Sequence, residues 1–544
     1  MHADLSRITY RPERHYSAVV AQQGRVQLDA DANEQAAIQL FQARTLAADL
    51  IGPHGGPHGA TGFKIELRGG PHELDDLVIG GGRYYVDGIG CDATARNPAH
   101  RYRPPATRRR GAGRPGRRGR PGRARRRDVD VLGPAGRLPR PGTPRRPAAL
   151  PVPLPGLPEG VERLVTAAED PALREVALGA ALPDTAARTK VVWQVLPLPA
   201  SALGLDGDNP PADDIRTAFG RWAQQAAAPA CRLAAQQSAR PRRRRPRLVA
   251  PEARYRGPEN QLYRVEVHDG GAAKDATFKW SRENGSVTFA IDDLDGTWAE
   301  LASLGGDDAL SLQVGDLVEC VDTGYASRGE AAPLLRVEEV DLPGRRVRLS
   351  DEPAPGVGRR PELHPFLRRW DHQEGGRKTV RRGDRPGRLR HGAVPVEEGG
   401  WLPLEDGVEV YFEAGGTYRT GDFWLALART ATGGVEWPTD PARRPLLQHP
   451  LGVVVHHAPL AWVHGEQAVP DLRLAFRPLA ADIPAAGDAA LNAAGAADTA
   501  GADAPGTLST TSAGGTGPAR SRSQTTAEAE AQVDEAGRRA DGDP

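Results

Sequence analysis

The chain has 544 residues with 71 basic and 70 acidic side chains, a formal net charge of +1, so no global field directs it to nucleic acid or to an anionic membrane. Hydrophobic residues make up 39 %, and 64 Gly with 49 Pro take about a fifth of the chain, a composition of many turns, β structure and portions that do not pack. Cys91, Cys231 and Cys320 are too far apart in the chain for a disulfide framework and show no zinc spacing, so buried free thiols are expected.

The first fifty residues are the most informative. Short β-favouring runs lead to Gly24-Arg-Val-Gln-Leu-Asp-Ala-Asp31, and a helix is predicted from there to about Leu50, with Asp31 as its N-cap and Glu34 completing a capping box. Gly52-Pro53 stops it. Asp4, Arg7 and Arg11 precede no apolar signal region, and no run of about 18 apolar residues appears anywhere, so a cytoplasmic protein with no membrane partner is expected, one that leaves the cell only in a particle released by lysis.

Residues 61–92 read as hairpins around Gly80-Gly-Gly82. The passage 104–158 is of another kind: it is nearly all Arg, Gly, Pro and Ala, whose codons can be built from G and C alone. With only five Lys in the chain, the gene reads as GC-rich, and this passage reads as an out-of-frame remnant. The competing reading is an Arg-rich arm for nucleic acid, but it lacks the aromatics of a single-strand platform. Arg240-Pro-Arg-Arg-Arg-Arg-Pro-Arg247 and residues 376–390 look similar.

Further on, a short helix is predicted near 171–178, a strand at 190–195 and a helix across 212–239. From 260 short strands follow at 262–268, 277–280, 286–291, 317–321, 335–340 and 346–349, the spacing of a barrel or sandwich. Strands recur at 407–412, 422–428, 452–457 and 461–463, and after about 478 the chain is an Ala/Gly/Asp/Thr tail too polar to order itself. The predicted class is mainly β (α+β): several small barrel or sandwich-like units with an N-terminal helix and a disordered C-terminal tail. The segments are 1–100 (helix plus hairpins), 101–160 (anomalous), 161–250 (mixed), 251–360 (barrel or sandwich), 361–477 (second β unit) and 478–544 (tail).

Candidate chemistry is sparse. There is no GxxxxGK[ST], HExxH, GxSxG or strand-following GxGxxG. His54 and His58 lie in a Gly/Pro turn that would not fix a metal, and His456-His457 in a strand point to opposite faces. Lys279, Arg282 and Glu283 surround Trp280, and a glycosidase pairing of Glu283 with Asp292 or Asp293 is weighed against a charged strand-turn, with Asn284-Gly285 as a hairpin turn and Trp280 inward. No catalytic, cofactor or metal residue is assigned. Tyr418, Arg419, Asp422, Phe423 and Trp424, with Trp437 near, suit a protein or sugar surface.

Several blocks carry a family resemblance: Gln22-Gln-Gly-Arg-Val-Gln-Leu-Asp-Ala-Asp-Ala-Asn-Glu-Gln35, Gly82-Arg-Tyr-Tyr-Val-Asp-Gly88, Thr166-Ala-Ala-Glu-Asp-Pro171, Arg188-Thr-Lys-Val-Val-Trp-Gln194, Ala253-Arg-Tyr-Arg-Gly-Pro-Glu-Asn-Gln-Leu-Tyr-Arg264, Phe278-Lys-Trp-Ser-Arg-Glu-Asn-Gly285 and Tyr418-Arg-Thr-Gly-Asp-Phe-Trp424. Over most of 1–475 the chain resembles an uncharacterised bacterial family of unknown function, often encoded beside phage-tail-like contractile injection systems. The resemblance implies a non-enzymatic structural or accessory part of such a particle, whose partners are baseplate, spike or fibre subunits or further copies of itself. The alternatives are a carbohydrate- or surface-binding module and a glycan hydrolase.

One test follows from the sequence. Reading the gene in its other two frames across 104–158 should recover an alternating apolar strand near 150–160; two frames without one leave the basic arm as the better account.

Overall fold

In the computed structural model the described residues are 2–70, 73–93, 156–179, 183–205, 210–238, 254–305, 310–329, 331–373, 389–463 and 470–479. The chain divides into Met1–Pro478 and Leu479–Pro544; the fold below is that of the first part. The tail from 480, most of the Arg/Pro/Gly passage, residues 240–247 and residues 376–388 lie outside the described residues. Among the described residues the fold is mainly β with three helices, one of them N-terminal, and the predicted class, mainly β, is met. Among the described residues no helix is long and apolar enough to cross a membrane.

Helix α1 spans Asp29–Ile51 and starts three residues earlier than predicted, with Leu28 in the N-cap position. Asp31 is therefore not the N-cap. It sits in the first turn and its carboxylate reaches back to accept from the Leu28 N–H at 3.0 Å, the return half of a capping box. Glu34 instead accepts from the Thr9 hydroxyl at 2.5 Å, and Asp29 accepts from both the hydroxyl and the N–H of Ser6. These bonds lace the leading residues to the helix. Gly52, at φ +89°, ends it.

Behind α1 lies a four-stranded sheet in the order Ala475–Phe476, His54–Pro57, Arg83–Val86, Ile89–Asp92. The His54 segment is a strand rather than the expected loop: Gly55 and Gly56 let it pass under Ile51 and Thr61, where a Cβ at Gly56 would lie 2.6 Å from the Thr61 methyl. Its outer neighbour is parallel and comes from the far end of the unit, Gly56 facing Ala475. A ten-residue hairpin stands nearby, Gly156–Val165 against Arg188–Pro197, so the last residues of the anomalous passage already pair in a sheet. The predicted helix near 171–178 is two 3-10 turns, Pro171–Leu173 and Val176–Leu178.

Helix α2, Ala212–Ala227, ends before Pro229, and the Ala/Gln run beyond it is a strand, Leu233–Gln237. Here tertiary packing overrides propensity: the strand pairs with Val408–Phe412 and Leu233, Ala234 and Ala235 are buried. Its sheet (Trp401–Pro403, Val408–Phe412, Leu233–Gln237) packs on a five-stranded central sheet ordered Val394–Pro395, Thr277–Ser281, Gln261–Val267, Phe423–Arg429, Gly434–Glu436. Tyr263, Val265, Phe278, Trp280, Phe412 and Trp424 fill the space between them. The central sheet thus takes strands from both sides of residue 360, where the sequence suggested a boundary.

The barrel expected after 251 is present and closed, with six strands ordered Thr288–Asp295, Trp298–Leu301, Arg346–Leu349, Leu334–Asp341, Leu317–Val321, Phe366–Trp370. Phe289, Val318, Val337, Val347 and Leu367 fill its interior. Asn284 and Gly285, at φ +52° and +64°, form the predicted turn. It does not close a hairpin: it carries the chain from the central sheet into the barrel. The strand predicted at 452–457 shrinks to His456–His457, and 461–463 makes only a single bridge, Ala461 to Asp471.

Gly88 is where the body meets α1. It lies at φ +75°, and a Cβ there would sit 2.1 Å from the Arg44 carbonyl oxygen. Gly88→Ala should cost about 1–3 kcal/mol from left-handed strain plus the clash, read as a fall of several degrees in the thermal midpoint.

Candidate functional site

Residues alternate across a strand, so a strand buried on both faces must match two environments. Gln261–Val267 and Thr277–Ser281 are buried throughout, as are Leu317–Val321 and Phe366–Trp370 of the barrel. One face of each pair is apolar. Arg264, Glu266 and Lys279 occupy the other face of the central sheet, and Glu319, Arg368 and Trp370 alternate with the barrel's interior residues Val318, Cys320 and Leu367.

Lys279 is the centre. Its ammonium bonds Glu319, stands 3.2 Å from Glu266 Oε1 and lies 4.3 Å above the Trp370 ring. Glu266 also accepts from Arg264 Nε at 2.5 Å and from His2 Nε2 at 2.9 Å. Arg264 donates to Asn284 Oδ1 at 3.3 Å and stacks 3.7 Å over Phe423, while Asn284 donates to the Ala3 carbonyl at 2.8 Å. At one side Arg282 clamps Glu405 with two bonds of 2.8 Å and takes Asp371 Oδ2 on its backbone N–H at 2.9 Å.

Burial would raise the Glu266 carboxyl, but Arg264, Lys279 and His2 together pull it well below its ordinary value. Burial, then the Arg264 and Arg368 charges, hold the His2 imidazole well below its own. His372 is lowered to about 4 by burial, against the raising effect of its bond to the Gly392 carbonyl. Glu283 is raised by burial, then by Asp371. Lys279, Arg264, Glu266 and Glu319 are paired with one another, and among the described residues no group of three His, Cys, Asp or Glu side chains is placed to hold a metal ion.

The predicted docking surface is corrected by its burial. Tyr418, Asp422, Phe423 and Trp424 are 2, 2, 3 and 1 % exposed, so neither Phe423 nor Trp424 is an outward member of the pair. Tyr418 donates to Glu398 at 2.9 Å, Trp424 Nε1 to the Gln448 carbonyl at 2.9 Å, and Phe423 lies under Arg264. Arg419 is half-buried and donates to Asp422 and to the carbonyls of Ala226 and Val453; Trp437, also half-buried, donates to the Leu446 carbonyl. The motif is a corner of the core, which its density of aromatics would equally demand.

The other candidates separate too. Trp280 is buried, as expected. The charges acting on Glu283 are Asp371, Glu259, Asp4 and Arg282, whereas exposed Asp292 stands 3.9 Å from Arg345. His54 is buried and bonds Tyr84 at 2.9 Å, and His58 is exposed. His456 bonds Asp87 and His457 meets the Trp222 ring, two different partners as the strand period requires. All three cysteines are free and buried, and burial raises Cys91 to about 11 and Cys231 and Cys320 to about 12. A surface cleft of about 330 Å³ lies between residues 254–257 and 430–433 and brings together none of the predicted residues.

Sequence inspection missed the sheet–barrel junction. Its signal was Arg264, Glu266 and Lys279 placed at every second residue of otherwise apolar strands, which reads as a solvated face until the barrel covers it.

Residues 1–119 and 202–540 match a family of unknown function (DUF6519), and the chain belongs to that family. The unmatched interval contains most of the Arg/Pro/Gly passage and also the blocks 166–171 and 188–194, which the sequence reading had placed within the family. No curated protein and no solved structure matches the chain.

Two outcomes test the junction. Lys279→Met leaves Glu266 and Glu319 short of a cation and should cost about 3–5 kcal/mol, while adding Glu319→Leu recovers much of it, as replacing a whole buried pair does. Glu266, depressed in the folded state, contributes stability that is complete above about pH 4.5 and lost as pH falls below it. His372 adds an earlier loss, since the unfolded imidazole takes its proton near 6.5 and the folded one only near 4. Urea midpoints measured from pH 7 to 3 should therefore decline in two stages, with His372→Gln reducing the first, to which His2, His54, His268 and His457 also contribute through their own lowered imidazoles, and Glu266→Gln reducing the second.

Proposed function

We propose that the protein is a non-enzymatic structural or accessory component of a phage-tail-like contractile injection particle and acts by assembling with other subunits of baseplate, spike or fibre type. The particle context comes from the family resemblance. The observation that carries the assembly reading is the sheet–barrel junction: its densest set of ionisable groups, Lys279, Glu266, Arg264 and Glu319, is buried and mutually paired, with half-buried His2 on Glu266. Groups so placed fix one structural unit against another, which is the requirement on a rigid building block. The aromatic set that favoured a sugar surface is in the core, so its rings are not available to a saccharide.

The test is assembly itself. Tagged protein expressed with its genomic neighbours should co-purify with sheath, tube or baseplate subunits, and deleting its gene should abolish particles or leave them incomplete. Complete, active particles from the deletion strain, with no co-purifying subunit, would overturn the proposal.

A further inference from the structure

Helix α1 has two faces. On one, Ala30 and Ile38 are buried and Arg44 bonds Glu162 of the hairpin strand Gly156–Val165. On the other, Leu40, Leu46 and Leu50 are 40, 61 and 57 % exposed, and Ala36 and Ala43 are exposed beside them. Ala36, Leu40, Ala43, Ala47 and Leu50 recur at spacings of four, three, four and three, the seam that lets one helix lie along another. No charged residue interrupts it. The segment leading into the helix is open as well, with Tyr16, Val20, Val26 and Leu28 between 46 and 85 % exposed, and Phe41 is at 49 %.

Leu40, Leu46 and Leu50, with Ala36 and Ala43 beside them, leave an apolar stripe along this face of the helix, the kind of exposed patch that marks a protein contact. The seam is also self-complementary. Turned about a two-fold axis at Ala43, it sets Leu50 at the height of Ala36, Leu40 at the height of Leu46 and Ala43 against Ala43 of another copy, so apolar side chains meet at each step. The opposite orientation would stack two acidic first turns, each with Asp29 and Asp31, and align the helix dipoles unfavourably.

We infer that α1 is a dimer surface, lying antiparallel against α1 of a second copy with Ala43 near the axis, an isologous contact of the commonest kind. This refines the assembly reading by naming a partner, the chain itself.

The full chain should sediment as a dimer at micromolar concentration. Leu46→Glu with Leu50→Glu, both at exposed positions, should weaken dimerisation at least tenfold while circular dichroism stays unchanged. Ala43→Cys should give an intermolecular disulfide under mild oxidation and Gln42→Cys should not; the native thiols are buried and do not compete. A monomeric full chain overturns the inference, and so does a dimer that survives the glutamates and gives no cross-link at position 43. A monomer that still co-purifies with particle subunits sinks the inference alone, and a cross-linked dimer that joins no particle sinks the assembly reading alone.

Discussion

A lysine between two glutamates, at the contact of an open sheet with a closed barrel, sets the terms for the rest of this molecule. Lys279 stands on the central sheet and Glu319 on the barrel, so their bond crosses from one structure to the other. Glu266 is held from the sheet's own side by Arg264 and Lys279. Taking such charges out of water is costly, and only complete pairing offsets it. The two bodies are therefore obliged to meet in one orientation: a slip of one residue along any of these strands would turn that strand's charges to the opposite face and leave their partners unpaired.

The N-terminus is drawn into the same arrangement. His2 caps the remaining side of Glu266, and the Ala3 carbonyl takes a bond from Asn284, the residue at the turn between sheet and barrel. From there the chain leads through Ser6 and Thr9 to the first turns of α1. The charge cluster and the helix are thus linked by a short stretch of chain whose bonds are nearly all made by side chains of Ser, Thr, Asp and Glu. The helix in turn rests on the Asp87-Gly88 turn, where only a glycine admits the Arg44 carbonyl.

Much of this was legible in the residues. An N-terminal helix ending at Gly52, the Trp280 orientation, a turn at Asn284-Gly285 and a barrel follow from period and turn chemistry, which are local, whereas the helix start was misplaced because Glu34 bonds Thr9 instead of closing a capping box. Leu233–Gln237 was not legible, because an Ala/Gln run has helical propensity and becomes a strand only when Val408–Phe412 lies beside it. The Tyr418–Trp424 cluster was misread for a related reason: aromatics beside Arg and Asp describe an interface and a core corner equally well, and only burial separates them. The charged junction was invisible until two distant faces were brought together.

The parallel pairing of His54–Pro57 with Ala475–Phe476 has a consequence in time. Its two strands are more than 400 residues apart in the chain. During synthesis the strand at His54 leaves the ribosome long before its outer neighbour exists, and its outer edge waits exposed through almost the whole of translation. Closing a loop of that length is slow, and unpaired edges invite the wrong partner. The earliest strand is thus fastened by one of the latest, and a chain ended before residue 475 lacks the outer strand of its first sheet.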